Sequence, residues 1–231
     1  MTINKVILQP AFVLHSRPYR DTSLLVELLT MQFGKLTVVA RGARSMKSQF
    51  RGILSPFLPL VVSFTGKNDL RTLQQAEMSG MSYALEHKVL LSGFYLNELL
   101  TKLLPSHESY PEVYQSYQIT LAALVKSLQP EVELRLFERC LLVNLGYGLQ
   151  LDRTTNNEPI LPDNQYIFEF GHGFNQAKSN LGSSFLGKSL LALHAGELTT
   201  VEELRDAKRL LRGVLAILLG NRPLKSRELF L

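Results

Sequence analysis

Four basic side chains, Arg41, Arg44, Lys47 and Arg51, fall in the run RGARSMKSQFRG, which holds no acid. Gly and Ser punctuate the run, so it reads as a loop. A shorter stretch, Arg17-Pro18-Tyr19-Arg20, places an aromatic ring among cations. Cations strung along a track suit phosphates, and flat rings suit unpaired bases. Lys35, Lys67 and Arg71 extend the same positive segment. The candidate nucleic-acid contacts are therefore Arg17, Tyr19, Arg20, Lys35, Arg41, Arg44, Lys47, Arg51, Lys67 and Arg71. Phe33 and Phe50 offer further rings. For these two and for Tyr19 the competing role is core packing.

No other reactive constellation assembles. The single cysteine, Cys140, has no histidine near it in sequence to serve as its base, and it reads as a buried helical thiol. His15, His87, His107, His172 and His194 contain no pair at the close helical spacing of metal ligands. Glu131, Glu133, Glu138, Glu202 and Glu203 suit helix starts and solvated faces. Neither G-x-x-x-x-G-K-[ST] nor G-x-G-x-x-G occurs. An ATPase, a dinucleotide enzyme and a hydrolytic triad are thereby excluded, and neither catalysis nor a cofactor is expected.

The charge is unevenly placed. The 231 residues carry 25 Lys and Arg against 20 Asp and Glu, a net +5. Residues 1–80 hold ten bases and four acids, a net +6, and the remainder holds fifteen and sixteen, a net −1. Such asymmetry suggests nucleic acid first; the alternative is a solvated basic surface with no partner. No apolar run approaches the roughly 18 residues of a membrane span. The expected setting is the cytoplasm, without membrane attachment.

Stepwise along the chain, five short strands are expected before residue 80: Val6–Ser16, Leu24–Thr30, Lys35–Ala40, Phe57–Phe64 and Leu70–Ala76, separated by Gly, Pro and polar turns. That spacing predicts a small barrel or sandwich rather than βαβ units. Pro56 and Pro59 confine the start of the fourth strand to an edge or bulge. From Gly80 the apolar period becomes helical, through Leu103, then after Pro111, then from Pro130 to Gly146. Residues 150–182 read as a loop-and-strand insert. Helices resume over Leu186–His194 and Thr200–Leu219, the latter opening on a Thr200/Glu203 capping box. The fold class is α+β. An N-terminal five-stranded OB-type barrel (1–80) precedes a helical domain (81–149), the insert (150–182), and C-terminal helices (183–231).

Three stretches of the first domain, AFVLHSRPYRDTS (11–23), VARGAR (39–44) and LSPF (54–57), together resemble the RecO family of bacterial DNA repair proteins. The resemblance continues through LNELL (96–100), LGYG (145–148) and PLKSRELF (223–230), in order over nearly the whole chain. It implies a mediator that binds single- and double-stranded DNA and anneals complementary strands without ATP. With RecR, such proteins help load RecA onto strands coated with single-stranded DNA-binding protein (SSB). The setting it implies is the nucleoid.

The resemblance also implies a zinc-ribbon-like insert, and C-terminal helices (183–231) packing on the helical domain. Many members carry four cysteines there, whereas Thr154 and Thr155 stand here where the first pair would begin. A metal-free insert is expected, since one histidine cannot hold zinc. Some members bind the acidic C-terminal tail of SSB. Arg135 and Arg139, four apart on one helix, are the candidate receptors for it. The alternative function is a protein-interaction adaptor whose barrel binds protein or structured RNA.

Overall fold

A computed structural model describes residues 5–66, 69–127, 129–177 and 183–226. Lys67 lies outside the described residues. The chain forms two compact units, 1–126 with 224–231, and 127–223. The first two helices fall in the unit that holds the barrel, and the loop-and-strand segment falls in the unit of the later helices.

In the first unit, β1 (Lys5–Tyr19), β2 (Ser23–Thr30), β3 (Gly34–Ala40), β4 (Leu60–Thr65) and β5 (Leu70–Met78) close in the order β1-β2-β3-β5-β4. Only β3 and β5 run parallel. This is the expected OB-type layout. β1 is long enough to pair with β4 through its first half and β2 through its second. Register shifts at Val6/Gln9 and Val13/His15 mark irregularities that let it bend around the barrel. The fourth strand starts at Leu60, directly after Pro59, because a proline cannot donate to the ladder.

Ala11, Val13, Val26, Leu28, Val38 and Val62 fill the barrel. Phe12 and Leu14 lie between and beyond these and are equally buried. Phe12 packs on Tyr114 and Tyr117 of α2 (Pro111–Lys126), which explains why AFVL is a continuous apolar run rather than an alternating one. In α1 (His87–Leu103), Asn97 Nδ2 donates to Leu14 O at 3.0 Å, and Tyr117 Oη donates to Asn97 Oδ1 at 2.5 Å. Burial, with Tyr83 beside it, pushes the Tyr114 phenol up to about 12.

The described end of the chain returns to this unit. The Glu98 carboxylate accepts from Lys225 N, Ser226 N and Ser226 Oγ at 2.7–2.9 Å, with Lys102 Nζ at 3.3 Å. Burial pushes this carboxyl up, but the bonds from Ser226, Lys225 and Lys102 outweigh it and hold it below the usual carboxylate range. A depressed folded-state value makes the stabilisation fully present above the unfolded value and lost as pH falls through the folded one. Glu98→Gln should therefore lower stability by about 1 kcal/mol at pH 7. Denaturant unfolding of both proteins should show the gap closing below pH 4.5. A gap that persists unchanged in acid would refute the role given to the Glu98 carboxylate.

The second unit holds α3 (Pro130–Asn144), α4 (Gly187–Ala195), α5 (Val201–Leu219) and a three-stranded sheet ordered β7-β6-β8. Those strands are β6 (Gln165–Glu169), β7 (Gly173–Gln176) and β8 (Phe185–Leu186). The expected Thr200/Glu203 capping box opens α5. Two expectations are corrected here. Cys140 is half-buried, with Asn144 Nδ2 3.6 Å from its Sγ. Glu138 faces no solvent: it is fully buried against Arg135 at 2.7 Å.

The insert closes without thiolates. Thr154 N donates to Glu158 O at 2.8 Å, Glu158 N to Thr154 Oγ1 at 3.2 Å, and Thr155 N to Phe174 O at 2.9 Å. Thr155 Oγ1 bonds Asn175 Oδ1 across to β7. Hydroxyls and an amide occupy this junction, a donor set that does not fit structural zinc. Among the described residues no group of three or more His, Cys, Asp or Glu is placed to hold a metal. A chelator should leave thermal unfolding unchanged, whereas Thr154→Ala should cost about 1 kcal/mol through the lost Glu158 contact. Stoichiometric zinc in untagged protein, or unfolding by chelator, would overturn this account.

Candidate nucleic-acid interface

Strand register gathers the basic loops. Tyr19 pairs with Ser23, and Leu24 with Ala40, so the β1–β2 turn and the end of β3 share one end of the barrel. Two hydrogen bonds then tie the following loop to that turn. Arg44 N donates to Thr22 O at 2.8 Å, and Arg44 Nη2 to Asp21 O at 2.5 Å. The loop itself is a succession of tight turns, Ser45 N to Gly42 O, Ser48 N to Ser45 O and Arg51 N to Ser48 O. Its apolar residues, Phe50 and Leu54, dip into the barrel core and fix it there. Farther along, Gln49 Nε2 reaches Gln74 O of β5 at 3.2 Å.

The result is a track of exposed cations, Arg20, Arg41, Arg44, Lys47 and Arg51, with Arg17 exposed near the end of β1. Tyr19 is half-buried, with the Arg20 guanidinium 5.2 Å from its ring centre. Arg20 takes φ 51°, a left-handed conformation that turns the chain sharply before β2.

Four candidates, Lys35, Arg71, Phe33 and Phe50, lie elsewhere or do other work. Lys35 Nζ donates to Thr101 O at 2.5 Å, in the last turn of α1, where unsatisfied carbonyls and the helix dipole favour a cation. Arg71 lies 5.2 Å over the Phe64 ring and 6.0 Å from Phe33, with its Nε buried, so it covers the core. Phe50 is buried, and the half-buried Phe33 sits edge-on to Phe64 against the barrel core.

In the second unit, Arg135 and Arg139 do not form an open pair. Arg135 is 4% exposed beside Glu138. Arg139 Nη1 donates to the Leu193 and His194 carbonyls and caps α4. Lys208, which sequence reasoning missed, lies in the same charge environment. Burial pushes its ammonium down, and Arg212 and Arg135 push the same way against Glu131 and Glu138.

Comparison with known proteins decides the family. A model described as Recombination protein O N terminal matches residues 3–81, and one described as Recombination protein O C terminal matches 88–228. The chain belongs to the RecO family. It is 45% identical over 227 residues to the DNA repair protein RecO of Coxiella burnetii strain RSA 493, covering 97% of this chain and 98% of that one. The DNA repair protein RecO of Methylococcus capsulatus strain Bath is 42% identical, covering 98% and 94%. That of Haemophilus influenzae strain 86-028NP is 43% identical, covering 96% and 95%. The RecO matches fit the barrel and the later helices seen here. Among the described residues no helix is long and apolar enough to cross a membrane.

Proposed function

We propose that this RecO-family chain is a recombination mediator whose barrel holds DNA across the β1–β2 turn and the β3–β4 loop. The observation that carries this reading is the pair of bonds from Arg44 to Thr22 and Asp21. They gather Tyr19, Arg20, Arg41 and Arg44 into one cationic surface. Phosphate contacts suit single and double strands alike, because they read charge rather than sequence. Neutralising phosphates also reduces the repulsion between two complementary strands, so annealing needs no ATP. No bond is broken, and neither a catalytic residue nor a cofactor enters.

Within this reading the protein acts with RecR to load RecA onto SSB-coated strands. The acidic SSB tail is assigned to the second unit, near Arg135. There burial, before the charges of Arg212 and Arg135, pushes the Lys208 ammonium down, and an anion would favour its charged form. Arg135 and Arg139 then act as positioning groups, through Glu138 and the end of α4. The test is annealing of complementary oligonucleotides coated with the cognate SSB, without ATP. Addition of the protein should accelerate it; no acceleration would refute the assignment.

A further inference from the structure

A groove of about 500 Å³ runs over the outer face of β1, β4 and β5. That volume falls within the roughly 300–1,000 Å³ of ligand-sized sites. It lies away from the β2–β3 face that OB barrels commonly use. Its lining includes three carboxamides, from Gln49 of the basic loop and Gln74 and Gln75 of β5. Neighbours in a strand normally point to opposite faces. Opposite Ser63 and Phe64 the register slips, and both glutamines are exposed.

Each carboxamide is held in place. Gln49 Nε2 donates to Gln74 O at 3.2 Å, Gln74 Nε2 to Thr65 Oγ1 at 3.0 Å, and Gln75 Nε2 to Glu77 Oε1 at 2.6 Å. A carboxamide has two donors and an acceptor oxygen, so each retains capacity for a ligand. The barrel is closed, which leaves no free strand edge for a peptide to extend. Lys5 is the one cation among the lining residues, and the Glu77 carboxylate beside Gln75 repels phosphate. Ile7, 57% exposed, adds apolar surface. Neutral, paired donors and acceptors beside an apolar patch match nucleobase edges, as glutamine matches adenine.

We propose that this groove takes the bases of an unpaired strand whose phosphates lie on the adjoining loop, and so gives the barrel a preference for single strands. The inference rests on the reading above that the barrel binds DNA. The full-length Gln74→Ala/Gln75→Ala variant is compared with the wild type on three probes. These are a mixed-sequence single strand, an abasic strand of equal length and a blunt duplex. The wild type should prefer the base-bearing strand over the abasic one by about tenfold, and the variant should lose that preference. Duplex affinity and thermal unfolding should be unchanged. A variant that keeps the preference, or loses single-strand and duplex binding alike, overturns the inference. A wild type that binds none of the probes defeats the DNA reading itself, an outcome distinct from the other two.

Discussion

Arg41→Ala with Arg44→Ala should weaken single-strand binding and flatten its salt dependence. If about four cations of the track neutralise phosphates, log K falls with log salt at a slope of roughly −2.8, using about −0.7 per phosphate. A fourfold rise in salt then weakens wild-type binding about fiftyfold. Removing two contacts should flatten the slope by up to about 1.4 units. Arg44 also ties the loop to the β1–β2 turn through its guanidinium. Affinity should therefore fall further than the slope alone implies, equally on all sequences, because phosphate contacts carry no base information. Tyr19→Ala provides the contrast: about 1–3 kcal/mol lost with little change in slope, since stacking releases no counterions. Fluorescence anisotropy over a salt series measures both. A double variant with wild-type affinity and slope would remove the loop from the DNA path.

The largest effect on stability is expected at Gly34, the first residue of β3. It has φ +60°, and a Cβ there would lie 1.6 Å from the Glu108 carbonyl oxygen. Both partners are backbone and cannot swing aside. The contact persists because the segment after α1 is pinned to this turn: His107 N donates to Lys35 O at 2.9 Å and Ser109 Oγ to Met31 O at 3.2 Å. Gly34→Ala adds left-handed strain to a backbone clash and should cost roughly 3–5 kcal/mol. Gly42→Ala is the control, with φ +66° and nothing within 4 Å of the added carbon. It should cost only about 1 kcal/mol. Equal urea midpoints for the two variants would contradict the close approach.

Much of the fold is legible because its signals are local. Gly, Pro and polar turns bound the five strands, and a Thr and a Glu three apart announce the start of α5. The basic loop is legible for the same reason: its four cations fall within eleven consecutive residues, 41–51. What each cation meets is a tertiary matter. Nothing near Lys35 in sequence says that the end of α1 comes to it, and nothing near Arg139 announces the carbonyls of α4. Arg135 and Glu138 are three apart, which suits an ion pair, yet only packing reveals that the pair is buried. The consecutive Gln74 and Gln75 carried a usable signal, since two adjacent polar residues break strand alternation and mark an irregular register.

The central claim is where DNA lies. Photo-crosslinking a single-stranded oligonucleotide to the full-length protein, with the linked residues mapped by mass spectrometry, tests it most directly. Adducts are predicted at Tyr19 and within residues 41–51. Adducts confined to residues 127–223, with none on the barrel, would contradict the account.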